Sequence, residues 1–545
     1  MSSNLVAKQK DRELLQDLRG RIAKDFHPTA SGFRNADLGQ VVTLGDLSTK
    51  ATLKKVIRLL HDNGAFTIKT EQHGFDDVDG LRHGVRIPRA AETGMWPMGT
   101  NLWIRDLSFT AGNMLVAGRH DIPWHDDFTH VGKALLLSGL TLMSTVSQRK
   151  RFESVLMSDD KAFWQDPVNW PHIFLEIVPN LNGATAEKWS HKQDAWQILA
   201  VNALEALSRG DISHDDLTPA HWQFLGYLVP FLAKIKFYEN ENSGSWEELP
   251  AIRTSVIVWD VALLARVATL AKRPEGAFLE EAFAKYRPHL GKPWTHLNCA
   301  TTADRLAHEG AKVLGKMLPY ESPTYDWNDP RVRKADIALA YHLLLDGPAM
   351  AAKLGGMGSD WVARVEHGLL EMIAVLAEKT TGAYKRYLGD SYQGLNYFTY
   401  ETVARLKEIC GAPSGDASGL TEFVNRQSAI PAGHEAAWCH PIWQLATYYG
   451  RRYAKTGDPE ARRMQLQMVT TGLRNVTGPG EWSIDKLEND EMRLLSVPAY
   501  RFTECFIAME DEAGIFRIPS PHTPLNWCTA EAILALSLLW ETAKD

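Results

Sequence analysis

The sequence predicts an all-α protein built as two concentric layers of helices, and three observations carry that reading. Apolar residues recur with a helical period through most of the 545-residue chain, punctuated by Gly and Pro. Several of the predicted helices are apolar nearly all round, as in Ser255-Val-Ile-Val-Trp-Asp-Val-Ala-Leu-Leu-Ala, and a helix without a polar face has to be surrounded by other helices. These alternate with amphipathic helices, as an outer layer with one face in water requires.

In chain order, the period covers residues 10–24, 51–63, 105–117, 131–146, 193–208, 222–236, 254–271, 279–286 and 303–314. It continues at 332–345, 361–378, 398–409, 436–455, 459–475 and 529–542. Gly118 and Gly210 stand where a left-handed residue would end the preceding helix, a conformation that glycine adopts without a Cβ clash. Strand signals are few: 65–69 and 85–87, across the Gly/Asp-rich stretch 74–80, predict one small hairpin. Long connections fall at 74–101, 158–192, 238–253, 316–331, 380–397, 411–433 and 511–526, and connections of that length in a helical domain are commonly functional. No low-complexity linker divides the chain. Residues 1–85 are expected to form an N-terminal extension of helix and hairpin packed on a main helical domain, 86–545.

Composition narrows the function. With 45% hydrophobic residues, 23% charged residues and a net charge of -7, the chain offers no basic surface for nucleic acid and no polybasic patch for a membrane. No run reaches the roughly 18 uncharged apolar residues of a membrane span, and residues 1–20 lack the apolar core of a secretory signal, so a cytoplasmic protein is expected. The five cysteines, Cys299, Cys410, Cys439, Cys505 and Cys528, are scattered without a CxxC and read as buried thiols of a reducing compartment. The 19 histidines form no HExxH and no EF-hand loop is present, so neither metal nor cofactor is expected. Tryptophans outnumber tyrosines, 18 to 15, and several lie beside polar clusters where an indole could cover a sugar face; most still read as helix packing.

Five segments beside helix ends combine acids, arginines and aromatics. Trp103-Ile104-Arg105-Asp106 offers a guanidinium fork and a carboxylate for vicinal hydroxyls, or equally a helix-first-turn acid paired with its neighbour. Trp189 precedes Gln193-Asp194, where Asp194 also reads as a cap. Trp246-Glu247-Glu248 sets an acid against indole, surroundings that hold the proton on Glu247 nearer to neutral pH, although adjacent acids near a helix start are often dipole complements. Arg386-Tyr387-Leu388-Gly389-Asp390-Ser391-Tyr392 follows a long helix. Glu510-Asp511-Glu512 precedes Leu525-Asn526-Trp527 and the last helix.

In this order the five segments resemble the active-site segments of glycoside hydrolase family 15, the glucoamylases, and the related amino-terminal region of the phosphorylase kinase α and β subunits. The matching residues are Trp103, Arg105 and Asp106; Gln193 and Asp194; Trp246, Glu247 and Glu248; Arg386, Tyr387, Asp390 and Tyr392; and Glu510 with Leu525 and Trp527, over roughly residues 90–540. The resemblance implies an (α/α)6 toroid with its site at the mouth of the inner ring, and inverting hydrolysis of a terminal α-glucosyl residue. It implies Glu247 as general acid and Glu510 as general base, with Glu504 as the fallback base. Arg105, Asp106 and Arg386 would hold sugar hydroxyls, Glu248 would assist, and Trp103 and Trp189 would stack. Gln193, Asp194, Trp246, Tyr387, Asp390 and Trp527 complete the expected substrate-binding set.

Two departures stand out. The family's acid three residues before the donor is Gly244 here, and the residue after Glu510 is Asp511, a like charge beside the base. The expected substrate is a soluble oligosaccharide or glucoside. The alternatives are a catalytically inactive glucan-binding or regulatory protein, and a hydrolase of a non-glucan, acidic sugar served by His191, Lys192 and Lys385. Linkage and oligomeric state are not encoded in these motifs.

Overall fold

A computed structural model describes residues 2–68, 70–76, 82–88, 101–120, 122, 128–166, 169–176, 194–246, 250–323, 329, 331–390, 392, 430, 433–486 and 492–545. Three helices open the chain, α1 (Ser2–Asp25), α2 (Ala36–Leu44) and α3 (Lys50–Asp62), followed by the antiparallel hairpin of β1 (Thr70–Asp76) and β2 (Arg82–Pro88). Strand β3 (Asn101–Trp103) leads into α4 (Ile104–Ala117) and pairs with β4 (Phe174–Glu176). Between them run α5 (Phe128–Met143), α6 (Val146–Met157) and α7 (Lys161–Gln165). Then come α8 (Asp194–Arg209), α9 (Pro219–Ile235), α10 (Thr254–Leu270), α11 (Ala277–Tyr286), α12 (Cys299–Met317), α13 (Ala340–Leu344), α14 (Gly347–Gly355) and α15 (Ser359–Ala374). The chain finishes with α16 (His440–Thr456), α17 (Pro459–Arg474) and α18 (Asn526–Glu541).

The contacts close these helices into a ring. Helix α4 packs on α8, α8 on α10, α10 on α13, α13 on α16, α16 on α18, and α18 back on α4. Outside it, α5 covers α4, α12 covers α10, α14 and α15 cover α13, α17 covers α16 and α3 covers α18, with α9 between α5 and α12. The architecture is an (α/α)6 toroid. Burial follows the sequence: every residue of α10 from Thr254 to Leu264 and of α18 from Asn526 to Leu539 is buried, as a helix enclosed by helices demands. Helix α12 buries one stripe, Ala303, Leu306, Ala307, Gly310, Ala311 and Leu314, and α3 buries Leu53, Val56, Ile57 and Leu60. No single described helix is long and apolar enough to cross a membrane.

Several local expectations change. Gly210 ends α8 with φ +79°, but Gly118 is right-handed, φ -64°, and simply continues the last turn of α4. Residues 332–345 are not one helix: the Asp336 carboxylate accepts from the Ala338 N–H and caps the short turn Ile337–Leu339 that runs into α13. The N-terminal hairpin lies at 70–76 and 82–88, later than 65–69. Two further hairpins went unpredicted: β6 (Trp482–Lys486) with β7 (Met492–Ser496), and β8 (Cys505–Asp511) with β9 (Gly514–Pro519), with β5 (Ala437–Trp438) beside β8. Strand β8 is buried from Cys505 to Met509, so it carries no period-two alternation in sequence. Helix α1 covers this sheet, Leu15 and Leu18 packing with Ile484, Ile507, Met509 and Ile518. The chain ends are clasped: the Lys50 N–H donates to the Lys544 carbonyl at 2.7 Å and the Lys544 N–H to the Ser48 carbonyl at 2.8 Å.

Inner and outer layers meet closely at Gly132 of α5. A Cβ there would lie 2.7 Å from the Leu115 backbone nitrogen and 3.0 Å from the Ala111 carbonyl oxygen of α4. Gly132→Ala is expected to force the two helices apart and lower stability by about 1–3 kcal/mol. Urea denaturation checks it, and an unchanged midpoint would count against this contact.

Candidate functional site

The first turns of the inner helices, and the segments just before them, meet at one mouth of the ring. Arg105 is the second residue of α4, Asp194 the first of α8, His440 the first of α16 and Trp527 the second of α18. Trp246 lies just before α10 and Asp336 just before α13. Their meeting makes the inner helices parallel, with the positive ends of their backbone dipoles at this mouth.

The centre is an ion pair. Arg105 donates from Nε and Nη2 to the two oxygens of Asp194, both at 2.8 Å, and both side chains are buried. The same guanidinium donates from Nη1 to the Ser245 carbonyl at 2.9 Å and from Nη2 to the Gly244 carbonyl at 3.4 Å, while Ser245 Oγ donates to Asp194 at 3.1 Å. Three expected segments are thereby locked together, and Asp194 is a buried ion-pair partner of α4. Gly244 is required by this geometry: its φ is +64°, and a Cβ would lie 2.3 Å from Arg253 Cδ. An aspartate at 244 would have no room.

A second bidentate pair borders the first. Arg386 donates from Nε and Nη2 to Asp390 at 2.7 and 2.5 Å, again buried, and the Ile337 N–H donates to the Arg386 carbonyl. The guanidinium lies 4.6 to 5.2 Å from the ring centroids of Tyr392, Trp246 and Trp438. Trp246 donates its indole N–H to Asp336 at 2.7 Å; Asp336 also receives Arg333, whose guanidinium covers Tyr387 at 3.6 Å. Tyr387 thus backs the cluster from a buried position. Trp103 is buried at the entry to α4. Trp527 stacks on Phe109 at 4.6 Å and on His440 at 4.7 Å, and donates its N–H to Glu531 at 2.6 Å. Trp438 and His440 were not singled out from sequence; the Trp-x-His beside Pro441 at a helix start was the signal.

Buried carboxylic acids adjoin this cluster. Glu504, just before β8, is buried within electrostatic reach of Asp106 and Arg386 and receives a hydrogen bond from Ser520 Oγ. Burial, reinforced by the negative charge of Asp106, lifts its pKa from 4.5 to about 7 despite the opposing Ser520 bond and Arg386. Burial raises Glu531 well above its ordinary value too, and depresses His440 to about 3, leaving a neutral imidazole. Asp106, in the first turn of α4, is half-buried.

Glu510, the base that the resemblance implies, differs in its surroundings from Glu504. Its side chain is 57% exposed and pairs with His434 at 3.1 Å. It stands six residues beyond Glu504, roughly 20 Å along an extended strand. Asp511 pairs with Arg19 and is no burden on the site. Lys385 is neutralised by Glu435 at 3.0 Å, which removes one of the cations offered for an acidic sugar. Trp189, Gln193, Glu247, Glu248, His191 and Lys192 lie outside the described residues.

No protein family's sequence profile matches the chain, and no curated protein does. Solved structures similar to the chain include two glucoamylases. A bacterial glucoamylase complexed with acarbose is 12% identical with a TM-score of 0.43, over 90% of this chain; the chain spans 56% of that protein's length. The glucoamylase from Saccharomycopsis fibuligera is 12% identical with a TM-score of 0.45, over 84% of this chain and 89% of its own. The toroid itself rests on the closed ring of helix contacts.

Asp194→Ala leaves Arg105 buried without its partner and is expected to cost about 3–5 kcal/mol in urea denaturation. Stability also depends on Glu504 in a defined direction. Its folded pKa is raised, so the contribution is complete below pH 4.5 and is lost as pH rises to about 7. The loss amounts to about 3 kcal/mol from this group. Glu504→Gln is expected to shrink the fall in unfolding free energy between pH 4.5 and 7.5 by that amount, and an unaltered slope would contradict the assignment.

Proposed function

We propose that the protein is an inverting glycoside hydrolase that removes a terminal α-glucosyl unit from a soluble oligosaccharide or glucoside. The observation that carries this reading is Glu504, a buried carboxyl beside Asp106 and Arg386, at a mouth walled by Trp246, Trp438 and Trp527. Indole faces suit the apolar faces of a pyranose, and Asp106 with the two arginine–aspartate pairs suits its hydroxyls. The general base is Glu504 in place of Glu510. A base whose pKa lies near the working pH combines a useful ionised fraction with proton affinity.

In the proposed step, the Glu504 carboxylate takes a proton from water as the water oxygen bonds to the anomeric carbon. The glycosidic carbon–oxygen bond breaks, and Glu247 delivers its proton to the departing oxygen. Glu247 follows directly on Trp246, which the Asp336 bond holds in place. Inverting hydrolases set the two carboxyls roughly 6.5–9.5 Å apart to admit the water. Glu248 and Gln193 extend the hydroxyl-binding set. The glycine at 244 has its own packing reason, so its departure from the resembled pattern does not favour an inactive protein.

A panel of α-glucosides followed by proton NMR is expected to show β-glucose as the first product. Glu247→Gln and Glu504→Gln should each lower kcat by at least about 100-fold, with Glu510→Gln near wild type. The wild-type rate should fall as pH drops below about 7, where Glu504 gains its proton. Folded protein that cleaves no member of the panel, or an active Glu504→Gln, would sink the proposal.

A further inference from the structure

A second cavity lies inside the ring, further along the same helices. It has a volume of 230 Å³ and is lined from all six inner elements, among them Asn113, Trp259, Asp346, Arg451 and Glu531. Arg451 stands eleven residues after His440 on α16, so the cavity's outer rim is roughly 16 Å from the first site along the helix axis.

Three of its lining groups have unused hydrogen-bonding capacity. Among the described residues, Trp259 Nε1 and Glu531 Oε2 are buried without a partner, on side chains only 4% and 3% exposed. Groups of this kind cost stability unless something bonds them. Arg451, exposed at the rim, donates to the Leu344 carbonyl at 3.0 Å and meets no carboxylate at ion-pair distance among the described residues. The acids nearby act on Arg451 only from beyond ion-pair distance: Glu205 receives Arg209 and Arg266, and Asp346 lies 3.9 Å from Lys455.

We propose that this cavity is a second ligand site, for a monosaccharide-sized polyol bearing one anionic group, a sugar phosphate or a sugar acid. Its volume is below that of pockets for drug-sized ligands. The indole N–H, the carboxyl oxygen and the Asn113 amide suit hydroxyls, and the Trp259 face suits the ring. The unpaired guanidinium of Arg451 suits a phosphate or carboxylate. The Glu531 Oε1 atom already holds the Trp527 N–H, so an occupant bonded to Oε2 would share a residue with the first site. The inference does not rest on the hydrolase reading.

Isothermal titration of the full chain with glucose 6-phosphate, glucuronate, glucose and inorganic phosphate tests it. One of the two anionic sugars is expected to bind one-to-one, at least tenfold more tightly than glucose and than inorganic phosphate; which one identifies the anionic group. Arg451→Gln should weaken that binding at least tenfold, as should Asn113→Leu, while Glu504→Gln leaves it unchanged. Binding that survives both cavity substitutions, that is lost in Glu504→Gln, or that is absent for both anionic sugars overturns the proposal, as does inorganic phosphate binding as tightly as the sugar phosphate. Failure of the hydrolase reading would appear separately, as absence of turnover with this binding intact.

Discussion

The buried pair of Arg105 and Asp194 is the constraint on which the mouth of the ring depends. Its two parallel hydrogen bonds fix the start of α4 against the start of α8, and its remaining donors take the carbonyls of Gly244 and Ser245. Those contacts aim the turn that carries Trp246, and Trp246 in turn reaches Asp336 before α13. One guanidinium thus sets the relative positions of four inner elements. A charge so deep in the ring is tolerable because its donors meet carboxylate and carbonyl oxygens.

Around this frame the buried acids differ in their partners. Asp194 and Asp390 have bidentate arginines, whereas Glu504 and Glu531 receive hydrogen bonds from neutral side chains and are pushed toward the protonated form. The neutral His440 between Trp438 and Trp527 belongs to the same arrangement: it extends an aromatic wall without adding a charge.

Helices were legible because period and all-round apolarity survive in one dimension: the run after Thr254 announces its enclosure residue by residue. The partnership of Arg105 with Asp194 was not, since Arg105 sits beside Asp106 and Asp194 reads as a helix cap, and only the ring joins positions 89 residues apart. The two candidate bases show the same limit. Spacing to Trp527 favoured Glu510, but a strand between Glu504 and Glu510 separates them by its whole length, and that strand was hidden because both of its faces are buried. Gly244 looked like a lost acid until its positive φ and the nearness of Arg253 showed that a side chain has no space there.

The clasp between Lys50 and Lys544 places the first and last parts of the chain in one contact. Helix α3 is the outer cover of α18, and α18 is the last of the inner helices in chain order. Until α18 is in place, one flank of α4 and the apolar face of α3 have no surface to meet. Closure of the toroid therefore depends on contacts between elements far apart in sequence, which form slowly.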